Sequence, residues 1–272
     1  MFDFVTESFD LEKTNEYILS IQISLDGFSF SVFSSRENKI ICFKLTPLKI
    51  SSENLILPHF SEWINNEEII RKKYKQIILL YFTIEFSLIP ENLYSSQLVK
   101  EATNHLIAEN EHKQVEITTL EESGIPAKLV FYIPEKLKLI LNQNFPSATL
   151  IHPVQLLVKE NQKGNKRNRS VLLYHKKSFI LVVSREENIL FANGFNIEHI
   201  NDLVYFVLNV LMQLNLNLKE TDFYISDALT KTPELLDILR PYIPEISYLP
   251  PSNSFENAEM VSNSIHRYFS FF

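Results

Sequence analysis

The sequence is poor in glycine and cysteine. Only four of its 272 residues are glycine: Gly27, Gly124, Gly164 and Gly194. A loop that brings backbone amides up to a phosphate needs glycine, because a Cβ blocks the approach. Cys42 is the single cysteine, which excludes an intramolecular disulfide and a Cys-x-x-Cys zinc or redox site. It lies in an apolar stretch, so we expect an inert core thiol.

Long apolar runs and an excess of positive charge are also missing. The most apolar segment, residues 203–214, is interrupted by two amides and is well short of the roughly 20 residues of a membrane helix. The N-terminus has acidic residues and no basic region before an apolar run, so no signal peptide is predicted. A net charge of −7 gives no general attraction to nucleic acid or anionic membrane. We expect a cytoplasmic protein with neither membrane insertion nor a nucleic acid partner.

What the sequence does contain is an internal repeat. Ser29–Cys42 aligns with Ser178–Phe191 at a constant offset of 149 residues, and six aligned positions are identical. Each copy has the pattern of a strand, a polar turn at Ser-Arg-Glu and a second strand. An apolar strand precedes each copy, at Tyr17–Leu25 and at Ser170–Tyr174. Each half is therefore predicted to open with a three-stranded antiparallel meander, and the shared context favours duplication.

Alternating helices and strands are predicted after each meander. The helix over 201–214 is apolar nearly all round, so we expect it to be buried, with Asn201 as its N-cap. The polar, basic stretch 159–169 is predicted to be a linker or exposed loop between a first unit, 1–158, and a second, 170–272. The other predicted helices are 52–65, 68–74, 135–144, 233–239, 257–268 and one beginning at 154; the other predicted strands are 76–82, 149–152, 222–226 and 245–249.

The order β-β-β-α-β-α-β in both halves resembles the actin, hsp70 and sugar-kinase fold. Residues 23–27, Ile-Ser-Leu-Asp-Gly, are similar to the first phosphate strand of that superfamily. Residues 76–94 resemble its pilus-assembly and cell-division branches, and residues 128–137 with 145–153 resemble its lobe-bridging region. Over most of residues 17–250, the chain is most similar to an uncharacterised bacterial family with an actin-like ATPase fold. The resemblance implies an α/β fold of two duplicated, ribonuclease H-like lobes, each a mixed sheet flanked by helices.

The resemblance also implies where a nucleotide would bind, and the chain departs from the pattern there. The first phosphate turn keeps Asp26-Gly27 but continues with Phe28. The second turn, Tyr174-His175-Lys176-Lys177, has no glycine or carboxylate where active members carry an Asp-Gly-Gly-Gly-Thr loop. The adenosine-side turn is Ser226-Asp227-Ala228 rather than Ser-Gly-Gly. We therefore expect a degenerate member without catalytic residues, whose vestigial cleft disfavours the binding of ATP and Mg²⁺.

Some candidate sites have two interpretations. Asp26-Gly27 is either a remnant Mg²⁺ or phosphate turn or an ordinary hairpin turn. His175, Lys176 and Lys177 either bind an anion or form a solvated hairpin tip.

Three further features can each be explained with or without a binding role. His105, Glu109 and His112 would share one helix face and could bind a metal, although surface His/Glu pairs are common, and no metal site is predicted. The basic run 163–169 is either a nucleic acid contact or, as we expect, an exposed linker. The C-terminal aromatics either finish a packed helix or dock onto a partner protein; they are Tyr268, Phe269, Phe271 and Phe272.

The sequence as a whole favours a non-catalytic actin-like protein that acts as a binding or scaffolding module for another protein. The alternative is an atypical nucleotide-binding ATPase or kinase that uses the cleft between the lobes.

Overall fold

The computed structural model describes residues 2–48, 50, 55–104, 112–120, 124–161, 168–175, 177–227 and 233–249. The helices are α1 (Ile56–Asn66), α2 (Ser96–Asn104), α3 (Glu135–Asn144), α4 (Pro153–Asn161), α5 (Ile200–Gln213) and α6 (Pro233–Leu239). The strands of the first half are β1 (Phe2–Val5), β2 (Ile18–Ser24), β3 (Gly27–Ser34), β4 (Lys39–Pro47), β5 (Gln76–Tyr81), β6 (Phe86–Pro90), β7 (Lys113–Thr119), β8 (Ala127–Pro134) and β9 (Thr149–Ile151). Those of the second half are β10 (Asn168–His175), β11 (Ser178–Arg185), β12 (Asn188–Asn196), β13 (Thr221–Asp227) and β14 (Ile246–Tyr248).

The two large sheets have the same topology, which confirms the predicted duplicated α/β architecture. The first has the strand order β1-β4-β3-β2-β5-β9 and the second the order β12-β11-β10-β13-β14. In both, the opening meander is antiparallel and the two following strands pair in parallel. The first sheet differs only by β1, which pairs antiparallel with the outer edge of β4.

The constant offset of 149 residues holds for one strand of each hairpin but not for both. β4 and β12 are related by this offset, and each has a β-bulge at the matching residue, Ile41 and Leu190. β3 and β11 are instead displaced by two further residues, because the turn between Ser34 and Lys39 is two residues longer than that between Arg185 and Asn188. The sequence identity around Ser-Arg-Glu therefore does not mark equivalent positions in the two turns.

A separate three-stranded sheet, absent from the predictions, lies between β5 and β9 in the chain. Its strand order is β6-β8-β7, and all its pairs are antiparallel. The alternation in Lys-Gln-Val-Glu-Ile-Thr-Thr (β7) is the signal that could have revealed it. The first half therefore carries an inserted subdomain that has no counterpart among the described residues of the second half.

Several helix predictions are wrong in detail. The cap of α5 is His199 rather than Asn201, and the Asp202 carboxylate accepts hydrogen bonds from the backbone N–H groups of Glu198 and His199. α5 is not buried all round, since Tyr205 and Met212 are each 65% exposed. The sheet covers only one face of this helix, which its uniformly apolar sequence did not indicate.

The predicted linker is shorter than expected, and two other helix predictions change. Residues 159–161 complete α4, where Glu160 and Asn161 are buried, and residues 168–169 begin β10. The predicted helix over 68–74 is a short 3-10 turn, Ile69–Arg71, and the one over 52–65 begins at Ile56. The closing helix over 257–268 and the four C-terminal aromatics lie outside the described residues.

One apolar cluster passes from the first half into the second. It contains Trp63 of α1 and Leu141 of α3, continues through Leu157 of α4, and reaches Val171 and Val182 on one face of the second sheet. Cys42 belongs to this cluster and is 1% exposed, as predicted for a core thiol. The shared core fixes the two sheets relative to each other. In the part of the chain described above, no helix has both the length and the apolar character needed to cross a membrane.

Candidate functional site

The candidate nucleotide residues lie at the carboxyl ends of parallel strands. Ser24 ends β2, His175 ends β10 and Asp227 ends β13, and the ladder pairs Tyr174 with Asp227. The carboxyl ends of parallel strands are where α/β sheets bind ligands. The structure therefore brings the turn at Asp26 and the strand end at His175 together, as the resemblance implied.

Asp26 and His175 are in direct contact. The Asp26 Oδ2 atom lies 3.1 Å from the His175 Nδ1 atom, and the two side chains are 16% and 5% exposed. Because an ionised carboxylate only accepts hydrogen bonds, this geometry places the proton on Nδ1 of the imidazole. The two turns that would enclose a phosphate therefore hold each other across the junction of the two halves.

The backbone of the Asp26 turn is directed inward. The Asp26 N–H donates to Ser24 Oγ at 3.2 Å, and the Ser24 hydroxyl in turn donates to the Gly27 carbonyl. The carbonyls of Leu25 and Asp26 accept hydrogen bonds from the segment that follows β4. The turn thus has the hydrogen bonds of an internally satisfied hairpin, and its Asp26 amide is already engaged.

Gly27 is required by packing. Its φ is +131°, and a Cβ at this position would lie 2.3 Å from the Thr46 carbonyl oxygen and 2.8 Å from the Leu48 nitrogen. Both atoms belong to the backbone, so neither can move aside cheaply. The close approach of β4 explains this glycine without a phosphate.

A four-residue junction segment, Phe82–Glu85, connects the parts of the molecule at this point. The Phe82 ring centroid lies 3.6 Å from that of His175, and the Phe82 N–H donates to the Ile23 carbonyl. The Glu85 carboxylate pairs with Lys113 at 2.7 Å, and its carbonyl accepts from the Tyr132 N–H. The segment contacts the first sheet, the inserted subdomain and the second sheet, so it holds all three in one arrangement.

His152 also holds the junction segment in place. Its Nε2 lies 2.8 Å from the Thr83 carbonyl oxygen, and its Nδ1 accepts a hydrogen bond from the Val154 N–H at the start of α4. Its ring lies 5.0 Å from the rings of both Phe86 and Phe131. Complete burial lowers the pKa of His152 to about 3, so the imidazole is neutral with its proton on Nε2. Sequence reasoning missed this residue, since a lone histidine before a proline carries no pattern.

Gly194 is the second glycine with a packing requirement. A Cβ on Gly194 would lie 2.5 Å from the Ile84 Cβ and 2.7 Å from the Ile84 carbonyl oxygen. β12 of the second sheet therefore touches the junction segment through a position where only hydrogen fits.

The remaining candidates have mixed outcomes. Ser226 is 1% exposed at the end of β13, and Lys177 lies exposed in the turn after β10. Lys176, His105 and Glu109 lie outside the described residues, as does the Asp227 side chain. Among the residues that are described, no three His, Cys, Asp or Glu side chains group as metal ligands. An anion at the Lys176-Lys177 turn stays a prediction.

The arrangement is chemically suited to joining the two halves. The Asp26 carboxylate accepts the Nδ1 proton of His175, and the Phe82 ring lies against the imidazole. A Mg²⁺ ion would have to take the Asp26 oxygen from the His175 proton.

Comparisons with known proteins agree with the fold. A family model described as "Protein of unknown function (DUF3822)" matches residues 6–246. No curated protein matches the chain. A crystal structure from Bacteroides thetaiotaomicron, described as a protein with an actin-like ATPase fold and unknown function, is similar with a TM-score of 0.79 at 20% identity. The match covers 89% of this chain and 93% of that one.

A second solved structure is the PilM–PilN type IV pilus biogenesis complex. It matches with a TM-score of 0.59 at 11% identity, again over 89% of this chain and 93% of that chain. At these identities the similarity establishes the fold alone. The two-lobed actin-like architecture implied by the sequence is confirmed.

Proposed function

The chain belongs to the DUF3822 family, and from this premise we propose that it is a non-catalytic actin-like protein that binds or scaffolds another protein. The observation that carries the proposal is the contact between the two phosphate turns. The Asp26 carboxylate and the His175 ring meet where the two halves join, and the Phe82 ring lies tilted against the imidazole with the ring centroids 3.6 Å apart. A nucleotide would have to break this contact and part of the shared core beneath it.

Two further observations support a role in binding protein. The similar PilM structure was solved as a complex with PilN, although this says only what PilM does. The second lobe also exposes large apolar side chains, including Tyr205 and Met212 of α5 and Leu190 of β12. Tyr205 and Met212 are seven residues apart on one helix and so share a face, and exposed apolar groups that share a face are typical of interaction surfaces. Docking through the C-terminal aromatics and a cytoplasmic location remain part of the proposal.

Mg-ATP separates this proposal from the alternative of an atypical ATPase or kinase. A ligand present at 100 times its Kd stabilises the folded state by about 2.7 kcal/mol, which raises the Tm of a protein of this size by roughly 5–10 °C. We expect no shift in Tm and no calorimetric heat with millimolar Mg-ATP. A shift of several degrees that disappears in Asp26→Ala would refute the proposal. Inorganic phosphate and Mg²⁺ alone serve as controls for weak anion or cation binding.

A further inference from the structure

The two sheets differ at one edge. In the first lobe the outer edge of β4 is covered by β1, which pairs with it from Phe2↔Leu45 to Val5↔Cys42. The equivalent strand in the second lobe is β12, and among the described strands it pairs with β11 alone. β12 carries no charged residue and no proline over its nine residues. Edge strands without a protecting charge or proline are ready to pair with another chain.

The register of β1 shows how such a strand would lie on β12. At the offset of 149 residues, Phe43 corresponds to Ala192 and Leu45 to Gly194. The Phe4 ring stacks on Phe43 with centroids 6.2 Å apart. Ala192 is smaller than Phe43, which leaves room for a large side chain opposite it, whereas the space over Gly194 is already taken by Ile84.

The space beside β12 is a groove with a second free strand edge opposite. β12 touches the inserted subdomain where Gly194 meets Ile84, and toward the other end of β12 a cavity of about 570 Å³ opens. Its walls include Ser87, Leu88 and Pro90 of β6 and residues 188–192 of β12. β6 is itself the edge of the three-stranded sheet. Because β12 and β6 approach each other where Gly194 meets Ile84, an extended segment can enter only at the cavity end of the groove, beside residues 188–192.

The lining sets the chemistry of the occupant. Leu190, at the β-bulge, is 36% exposed, and Ile125 and Phe191 add apolar surface. Among the described residues of the lining, Glu187 is the one that carries a charge, and it makes no ion pair with any other described residue. An antiparallel strand placed as β1 is on β4 brings its C-terminal end toward the turn that holds Glu187. The complementary ligand therefore has large apolar residues at alternate positions, followed by a lysine or arginine.

We propose that the groove between β12 and β6 binds an extended segment of a partner protein as an added antiparallel strand, with alternating large apolar residues and a basic residue beside Glu187. This inference rests on the proposed protein-binding function and specifies its surface. Main-chain hydrogen bonds to the free edge supply affinity, and alternate side chains supply specificity, as in other cases of strand addition.

The test uses the full chain and two fluorescein-labelled decapeptide pools. One pool has Phe or Leu at every second position and a C-terminal Lys; the other has the same composition in scrambled order. Fluorescence anisotropy should show saturable binding of the alternating pool only. Leu190→Arg should weaken binding about tenfold or more. Leu139→Arg, on α3 at 59% exposed, is the matched control and should leave binding unchanged.

A charge-reversing substitution and amide hydrogen exchange locate the binding site. The Glu187→Lys variant should no longer bind the peptides that end in Lys and should instead bind peptides that end in Glu. Amide hydrogen exchange should slow over 188–192 on peptide binding and stay unchanged over 42–45. Equal binding of both pools, no effect of Leu190→Arg, or amides of β12 already protected in the free protein would overturn the inference. Self-association in sedimentation velocity that Leu190→Arg abolishes would assign the edge to a second copy instead.

These results are independent of the Mg-ATP experiment. If no peptide binds and Mg-ATP has no effect, the proposal for the groove is refuted and the proposed non-catalytic function stands. A response to Mg-ATP that depends on Asp26 removes the proposed function whichever peptide binds.

Discussion

The stability of the fold should depend on pH through one buried histidine. Burial lowers the pKa of His152 from its ordinary 6.5 to about 3, because the charged form cannot be solvated in its apolar surroundings. The unfolded chain therefore binds a proton at this residue as the pH falls below 6.5, while the folded chain does not. The stabilisation is complete above the unfolded pKa and is lost progressively between pH 6.5 and pH 3.

The magnitude follows from the linkage of proton binding to folding. Each pH unit in this window costs about 1.4 kcal/mol, so His152 alone should lower the free energy of unfolding by about 2 kcal/mol between pH 7 and pH 5. Carboxylates add little above pH 5, since their ordinary pKa values are near 4. Other histidines add their own contributions, which makes a difference between variants the proper measure.

The informative variant is His152→Asn. An asparagine oxygen can still accept from the Val154 N–H as an N-cap, but the hydrogen bond to Thr83 and the ring contacts are lost. At pH 7 we expect this variant to lower the free energy of unfolding by about 2–4 kcal/mol, because the Thr83 carbonyl loses its hydrogen bond and a small cavity forms. At pH 5 the difference in free energy of unfolding between the wild type and this variant should be about 2 kcal/mol smaller.

The assay is urea denaturation followed by circular dichroism at half-unit steps between pH 5 and pH 7.5. His59→Asn, on the exposed side of α1, is the control and should follow the wild-type profile. Parallel profiles for the wild type and His152→Asn would refute the reasoning. They would mean that the folded protein takes up the proton at His152, or that the residue is not buried as the structure has it.

Two other substitutions test the junction between the lobes. Gly194→Ala should destabilise the fold by about 1–3 kcal/mol in urea, because its Cβ meets the backbone of Ile84; an unchanged midpoint would contradict the close approach. Asp26→Asn and His175→Asn should be non-additive, with a coupling energy of about 0.5–3 kcal/mol in a double-mutant cycle. Additive losses would mean that the 3.1 Å contact does not form in solution.

Much of the fold was predictable because its signals are local. The apolar alternation of the two meanders, the start of α3 after Pro134 and the start of α6 at Pro233 are all encoded within a few neighbouring residues. The inserted three-stranded sheet was missed although the alternation in β7 indicates a strand, because nothing in the local sequence shows which strands pair with it. The repeat alignment failed by two residues at β3 because identical turn residues occur in loops of different length.

The candidate site was predictable in part. Asp26 and His175 were identified from the resemblance, but the sequence did not indicate that they touch. Phe82, Thr83 and His152 contribute equally to the junction, and nothing in their local sequence distinguishes them from ordinary core residues. Their roles depend on partners about 70 to 90 residues away, whose placement follows from the packing of three sheets.

The sequence by itself determined that this is a two-lobed α/β chain in which only four residues are glycine. Both statements depend on residue types and local periodicity, which are fully written in the chain. Only the tertiary structure decided which side chains meet where the two halves join and which strand edge has no partner among the described strands. Those two facts arise from contacts between distant segments, the Asp26–His175 contact and the pairing of β1 with β4 but not β12. Such contacts are set by how whole sheets pack and not by the preferences of any one segment.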